Sequence, residues 1–240
     1  MGITIVHVSS GCHENQSLSE MKQLLFKLIG LLFSYMSWVF GITLANSRSW
    51  CVWEFDSKVV HVVFTGLWEA FYFQNFNISA SIVDFPMHST INKTWAISSE
   101  IKYGRGLILL ANFMKSSVLI FSATAFWISW IKAPYPDFIQ SYYNISAFFL
   151  FLSCVCTAGT VTWNFAVDFY GETTLDFPLS FPVEKESLTK KHFSYVFPLG
   201  IITATLSLVS ASLFCCEARL TKQLNQVKPM AVAKCSEENV

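Results

Sequence analysis

Charge is what this chain lacks most. Only 13% of its 240 residues are Asp, Glu, Lys or Arg, against about 25% in a soluble domain. That scarcity excludes an ordinary water-soluble fold. Basic and acidic residues number 16 each, so no field of one sign points to nucleic acid or to an acidic substrate. A disulfide framework is missing too. The seven cysteines fall at 12, 51, 154, 156, 215, 216 and 235, and only Cys51 lies in a stretch expected outside the cell. Cys154 and Cys156 sit in an apolar run with no His or acid at ligand spacing, so they read as small buried hydrophobes and no metal is expected. The histidines at 7, 13, 61, 88 and 192 show no ligand spacing either. Without a convergent nucleophile, base or metal set, no catalytic residue and no cofactor is expected, and the chain does not read as an enzyme. No cleavable signal peptide is expected either, because residues 1–23 are mostly polar and no small-residue cleavage pattern follows the first apolar run. The first span is expected to act as its own insertion signal.

What is abundant is apolar surface: 53% of residues are hydrophobic and 16% aromatic. A span needs about 20 mostly apolar residues to cross about 30 Å of hydrocarbon. Four segments qualify, at 24–45, 106–127, 145–167 and 195–216. Pro198 falls in the first turn of the last, where a missing N–H is tolerated. Small residues recur at helical spacing in three of them: Gly30, Ser34, Ser37 and Gly41 in the first, Ser153, Cys156, Thr157, Thr160 and Asn164 in the third, and Gly200, Thr203, Ala204, Ser207 and Ala211 in the fourth. Helices in lipid associate through such close approaches, so these stripes predict a compact bundle without a roomy axial pore. Lys115, midway along the second span, must face the bundle or snorkel. It reads either as an ion-pathway residue or as a structural contact to Asn112 or Asn164.

Both termini are expected in the cytosol. The segments are then a cytosolic 1–23, a first outer loop at 46–105, a cytosolic 128–144, a second outer loop at 168–194 and a cytosolic tail at 217–240. Positive charge does not decide the orientation: with Lys27 at the edge of the first span counted inside and Arg105 left to the entry of the second span, inner and outer sides carry seven Lys or Arg each. The sequons at Asn77 and Asn92, both in the long loop, favour it. That loop is aromatic and β-branched. Residues 58–65 and 67–74 have strand composition with Gly66 between them, which predicts a small sheet. The fold class that follows is an all-α four-helix transmembrane bundle carrying a small extracellular antiparallel β-sheet.

Trp50 stands just after the first span, seventeen residues separate it from the Trp68 of Gly66-Leu67-Trp68, and Arg105 marks the entry to the second span. Asp168-Phe169-Tyr170 opens the second outer loop and Cys215-Cys216 closes the fourth span. With the four-span plan, these residues resemble the claudin family, within the wider group that includes the peripheral myelin and epithelial membrane proteins. The similarity runs from about residue 24 to 217. One departure stands out. The family has a cysteine three residues after the second tryptophan and another about nine residues later, paired in a disulfide. Here Phe71 occupies the first position, and no cysteine lies between Ser79 and Asp84. Such a bridge contributes about 2–4 kcal/mol, so this loop must be held by aromatic packing or be more mobile.

The resemblance implies a plasma-membrane protein of tight junctions that associates with itself or with claudins, in cis within one membrane and in trans across the intercellular gap, and contributes to the paracellular barrier and to adhesion. Residues 46–104 carry four basic and five acidic residues, too small an excess to choose between cations and anions. Phe177, Leu179 and Phe181 are candidates for trans contact; burial against the sheet is the other reading. Cys215 and Cys216 are palmitoylation candidates or simple interfacial thiols. Glu238-Asn239-Val240 matches a PDZ-scaffold ligand. A second expectation stands beside the junctional one: an auxiliary tetraspan subunit that binds another membrane protein without forming junction strands.

Overall fold

The computed structural model describes residues 4–78, 81–91, 95–131, 135–171 and 175–237. Among them are four long helices, α1 (Thr4–Asn46), α2 (Ser99–Trp130), α3 (Pro136–Tyr170) and α4 (Val196–Glu237). Five strands accompany them: β1 (Cys51–Phe55), β2 (Val62–Thr65), β3 (Glu69–Ile78), β4 (Ser81–Thr90) and β5 (Leu188–His192). Each helix contains a stretch long and apolar enough to cross a membrane: Met21–Asn46, Ser99–Trp130, Pro136–Tyr170 and Val196–Gln223.

The helices outrun the apolar windows read from sequence. α1 begins at Thr4 and α4 continues to Glu237, because polar residues propagate a helix that an apolar segment has nucleated. α2 starts at Ser99 with Glu100 in its first turn, where a carboxylate favours the exposed N–H groups. The strands also differ from expectation. Lys58 to Val60 lie outside the sheet, so the strand expected over 58–65 shrinks to Val62–Thr65, and the one expected over 67–74 becomes Glu69–Ile78. The sheet order is β4-β3-β2-β1-β5, antiparallel at every neighbouring pair. The second loop therefore supplies an edge strand to a sheet built by the first.

The chain divides into two compact units, and each helix contributes a segment to both. The first comprises Met1–Met36, Met114–Phe151 and Leu206–Val240. Its core is a cluster of Val118, Ala125, Tyr143, Leu150 and Phe214 with smaller neighbours. Gly30 is required here, since a Cβ at that position would lie 2.8 Å from the Phe214 ring. The second unit comprises Ser37–Phe113 and Leu152–Thr205. It holds the sheet, whose core side presents Trp53, Phe55, Val63, Ala70 and Tyr72.

The small-residue stripes behave as their spacing predicts. Ser34, Ser37, Ser153, Thr157, Thr160, Thr203 and Ser207 are fully buried. In the second unit Ser37 donates to Thr203 O at 3.1 Å and Ser153 to Ala111 O at 3.3 Å. A Cβ on Gly200 would meet the Val161 side chain at 2.5 Å, so α3 and α4 approach each other through that glycine. Lys115 is completely buried, so it faces inward and does not snorkel.

Candidate functional site

A helix ends with carbonyls that have no partner inside it. At the end of α1 two indoles supply those partners. Trp50 Nε1 donates to Leu44 O at 3.0 Å and Trp68 Nε1 to Ala45 O at 2.9 Å. The two tryptophans reach the same helix end from opposite directions, one from the segment entering β1 and one from the turn between β2 and β3.

That turn is pressed against the chain leaving α1. A Cβ on Gly66 would lie 2.7 Å from Ser47 O and 3.0 Å from Arg48 Cα. Only glycine fits, because both obstacles are backbone. Gly66 N donates to Glu69 O at 2.9 Å, closing the turn, and Leu67 beside it is wholly buried. Arg105, near the start of α2, donates through Nε to Leu67 O, and its guanidinium lies 5.3 Å from the Trp68 ring centre. A guanidinium over an indole face is a favourable cation–π arrangement. The structure thus brings Trp50, Gly66, Leu67, Trp68 and Arg105 into one clasp that fixes the sheet to two helix ends.

A second polar centre lies at the C-terminal end of α3, and sequence reading missed most of it. Trp53 Nε1, on the core side of β1, donates to Asp168 Oδ1 at 2.9 Å. The Cys51 thiol hydrogen-bonds to the same carboxylate. Burial, then the Asp168 charge, pushes that thiol well above its ordinary value. Lys191 of β5 donates to Asp168 O, and to Gly171 O at 3.3 Å. A cation on these last carbonyls also opposes the negative end of the helix. Asn164, one turn earlier, bridges Glu100 O at 3.2 Å and Thr160 O at 2.9 Å, joining α2 to α3. The signal for Trp53 was the alternation of Cys51-Val52-Trp53-Glu54-Phe55, whose burial pattern follows period two.

Beneath the sheet the two loops share an aromatic core. Phe177 and Phe181 stack 4.5 Å apart, Trp53 and Phe55 each approach Phe177 at 5.8 Å, and Tyr72 meets Phe181 at 4.9 Å. Trp95 packs edge-on to both phenylalanines. Of the three apolar groups considered for trans contact, Phe177 and Phe181 are therefore half-buried core residues, because the sheet's aromatic underside offers them better partners than water does. Leu179, on the turn between them, is fully exposed.

The β3–β4 hairpin surrounds Phe71 with packing partners. Phe71 pairs directly with His88, their rings 5.0 Å apart. Arg48 lies 5.8 Å above the Phe71 ring and 2.5 Å from a Glu69 oxygen, and His88 Nδ1 is 3.8 Å from the other. Farther along, Phe76, Val83, Phe85 and Met87 are exposed on one face of the ribbon. Pro86 on edge strand β4 offers no N–H to a further strand.

The remaining candidates are scattered. Asn77 is the penultimate residue of β3, while Asn92 and the tail residues Glu238, Asn239 and Val240 lie outside the described residues. Cys216 is exposed on α4 and Cys215 half-buried. Among the described residues no group of three His, Cys, Asp or Glu is arranged to hold a metal ion. No known protein family matches this chain's sequence, and no curated protein matches it either.

Proposed function

We propose that this chain is a claudin-like, multi-pass plasma-membrane protein of cell–cell junctions, its sheet outside the cell, contributing to paracellular barrier and adhesion. The observation that carries the reading is the clasp. The residues on which the claudin resemblance rests are distant in sequence, yet Trp50, Gly66, Leu67, Trp68 and Arg105 meet at one place and make mutually dependent contacts. Chance placement of tryptophans and a glycine has no reason to produce that convergence.

Aromatic placement supports the bilayer. On α2, Tyr103 is exposed near one end and Trp127 and Trp130 near the other. At about 1.5 Å per residue they stand about 36–40 Å apart, matching hydrocarbon plus its interfacial edges. Tyr and Trp concentrate at such edges. With both helix-terminal segments in the cytosol, the sheet and β5 lie outside together, and Leu179 and the ribbon of Phe76, Val83, Phe85 and Met87 present apolar surface to neighbouring molecules.

Phe71 favours a second reading. It packs on His88 where the resemblance implies a cysteine, and a loop held by packing without that cross-link suits an auxiliary subunit that binds one membrane protein better than a polymer of junction strands. Expression in fibroblasts without tight junctions separates the two. The junctional reading predicts strands by freeze-fracture and a changed transepithelial resistance when the protein is added to an epithelial layer. No strands, no resistance change and one-to-one recovery with a channel or receptor would leave only the auxiliary reading.

A further inference from the structure

Within the first unit, three helices bring polar groups to one buried place that the clasp does not involve. Lys27 of α1 donates to Ser129 Oγ of α2 at 2.8 Å, and its ammonium lies 3.9 Å from the Glu217 carboxylate of α4. The side chains of Lys27 and Glu217 are only 11% and 5% exposed. Tyr143 of α3 is buried in the same unit, its ring tilted against Phe214 with centres 5.4 Å apart. One turn farther along α1, Ser210 of α4 donates to Gly30 O at 2.8 Å, so the same two helices also meet on one side of the charge pair.

A buried ion pair is a poor source of net stability, because the loss of hydration offsets the attraction. Its effect lies in what it forbids. Were α1 packed against any helix face lacking an acid, Lys27 would be left as an uncompensated charge in apolar surroundings, and Glu217 likewise. Much of the remaining surface of these helices is Leu, Phe and Ile, which discriminates little between neighbours in lipid. The Lys27–Glu217 pair, held in place by Ser129, is a contact that distinguishes a correct helix pairing from a wrong one.

We propose that Lys27, Glu217 and Ser129 form a pairing lock that selects α1 and α4 as neighbours, with α2 steering the ammonium. The lock specifies the arrangement without being the origin of its stability. This inference is independent of any junctional role.

Four full-length proteins test it: wild type, Lys27→Met, Glu217→Gln and the double variant Lys27→Met/Glu217→Leu. Each is measured by surface biotinylation and by its monodisperse fraction in mild detergent. Each single variant strands one charge and lowers both readings about tenfold. The double variant carries no stranded charge and returns to within about twofold of wild type. Single variants at wild-type level would overturn the lock, and so would a double variant as depleted as the worse single one.

Discussion

The indole N–H groups of Trp50 and Trp68 each satisfy one carbonyl at the end of α1. Replacing either tryptophan by phenylalanine keeps a ring and removes the bond, so each variant should lose about 1 kcal/mol, read as a lower midpoint in thermal unfolding. Gly66→Ala should cost more, about 1–3 kcal/mol, since the added carbon meets Ser47 O and Arg48 Cα and neither is a side chain that can rotate away. Cys51 gives a pH prediction. Its thiol is held protonated in the fold, above its ordinary value, by burial and by the nearby Asp168 charge. An unfolded chain would therefore release this proton at lower pH than the folded one. Stability from this group is complete below about pH 8.5 and declines as pH rises above it. Alkylation by iodoacetamide at pH 8 should leave Cys51 untouched until the protein unfolds; ready modification of the native protein would contradict its burial. Sequence pointed to Trp50, Gly66, Trp68 and Arg105 only through a resemblance. Trp53 and Lys191 stayed illegible because their partner, Asp168, belongs to a helix far along the chain.

At the scale of elements, apolar run length revealed all four helices, since about 20 such residues have few alternatives to a helix in lipid. The ends were less legible. Hydropathy is silent where α1 and α4 continue through polar residues. Among the strands, β2 and β3 carried their own composition and a glycine between them. β5, Leu-Thr-Lys-Lys-His, has no alternating apolar pattern of its own; it is a strand because β1 pairs with it, with Trp53 opposite Lys191 and Glu54 opposite Lys190. β4 contains Pro86, which reads against a strand unless the strand is an edge. The hairpin offers a direct test of what a covalent cross-link between β3 and β4 would add. Phe71 and His88 are directly opposed, and opposed strand pairs have Cβ atoms about 4.5–5.5 Å apart, close to disulfide reach. The double variant Phe71→Cys/His88→Cys should oxidise spontaneously and gain about 2–4 kcal/mol, lost again on adding reductant. The present protein should be indifferent to reductant. If it lost stability in dithiothreitol, a packed aromatic pair would be the wrong account of this hairpin.

For the molecule as a whole, four long apolar helices with a small antiparallel sheet were legible because two signals coexist in the sequence: long apolar runs for helices and aromatic, β-branched segments between them for a sheet. The charged pair Lys27 and Glu217 was not, since each residue alone looks like an ordinary flanking charge and only the packing of α1 against α4 reveals their meeting. The central claim is that the chain crosses the bilayer with the sheet outside and the ends of α1 and α4 opposite it. The most direct measurement places single cysteine reporters at Lys58, exposed in the loop between β1 and β2, and at Gln223, exposed on α4. Intact cells are then labelled with a membrane-impermeant maleimide, with the unsubstituted protein as background. The account predicts strong labelling of Lys58→Cys, and labelling of Gln223→Cys only after permeabilisation. Labelling of both positions in intact cells, or of Gln223→Cys alone, would contradict it.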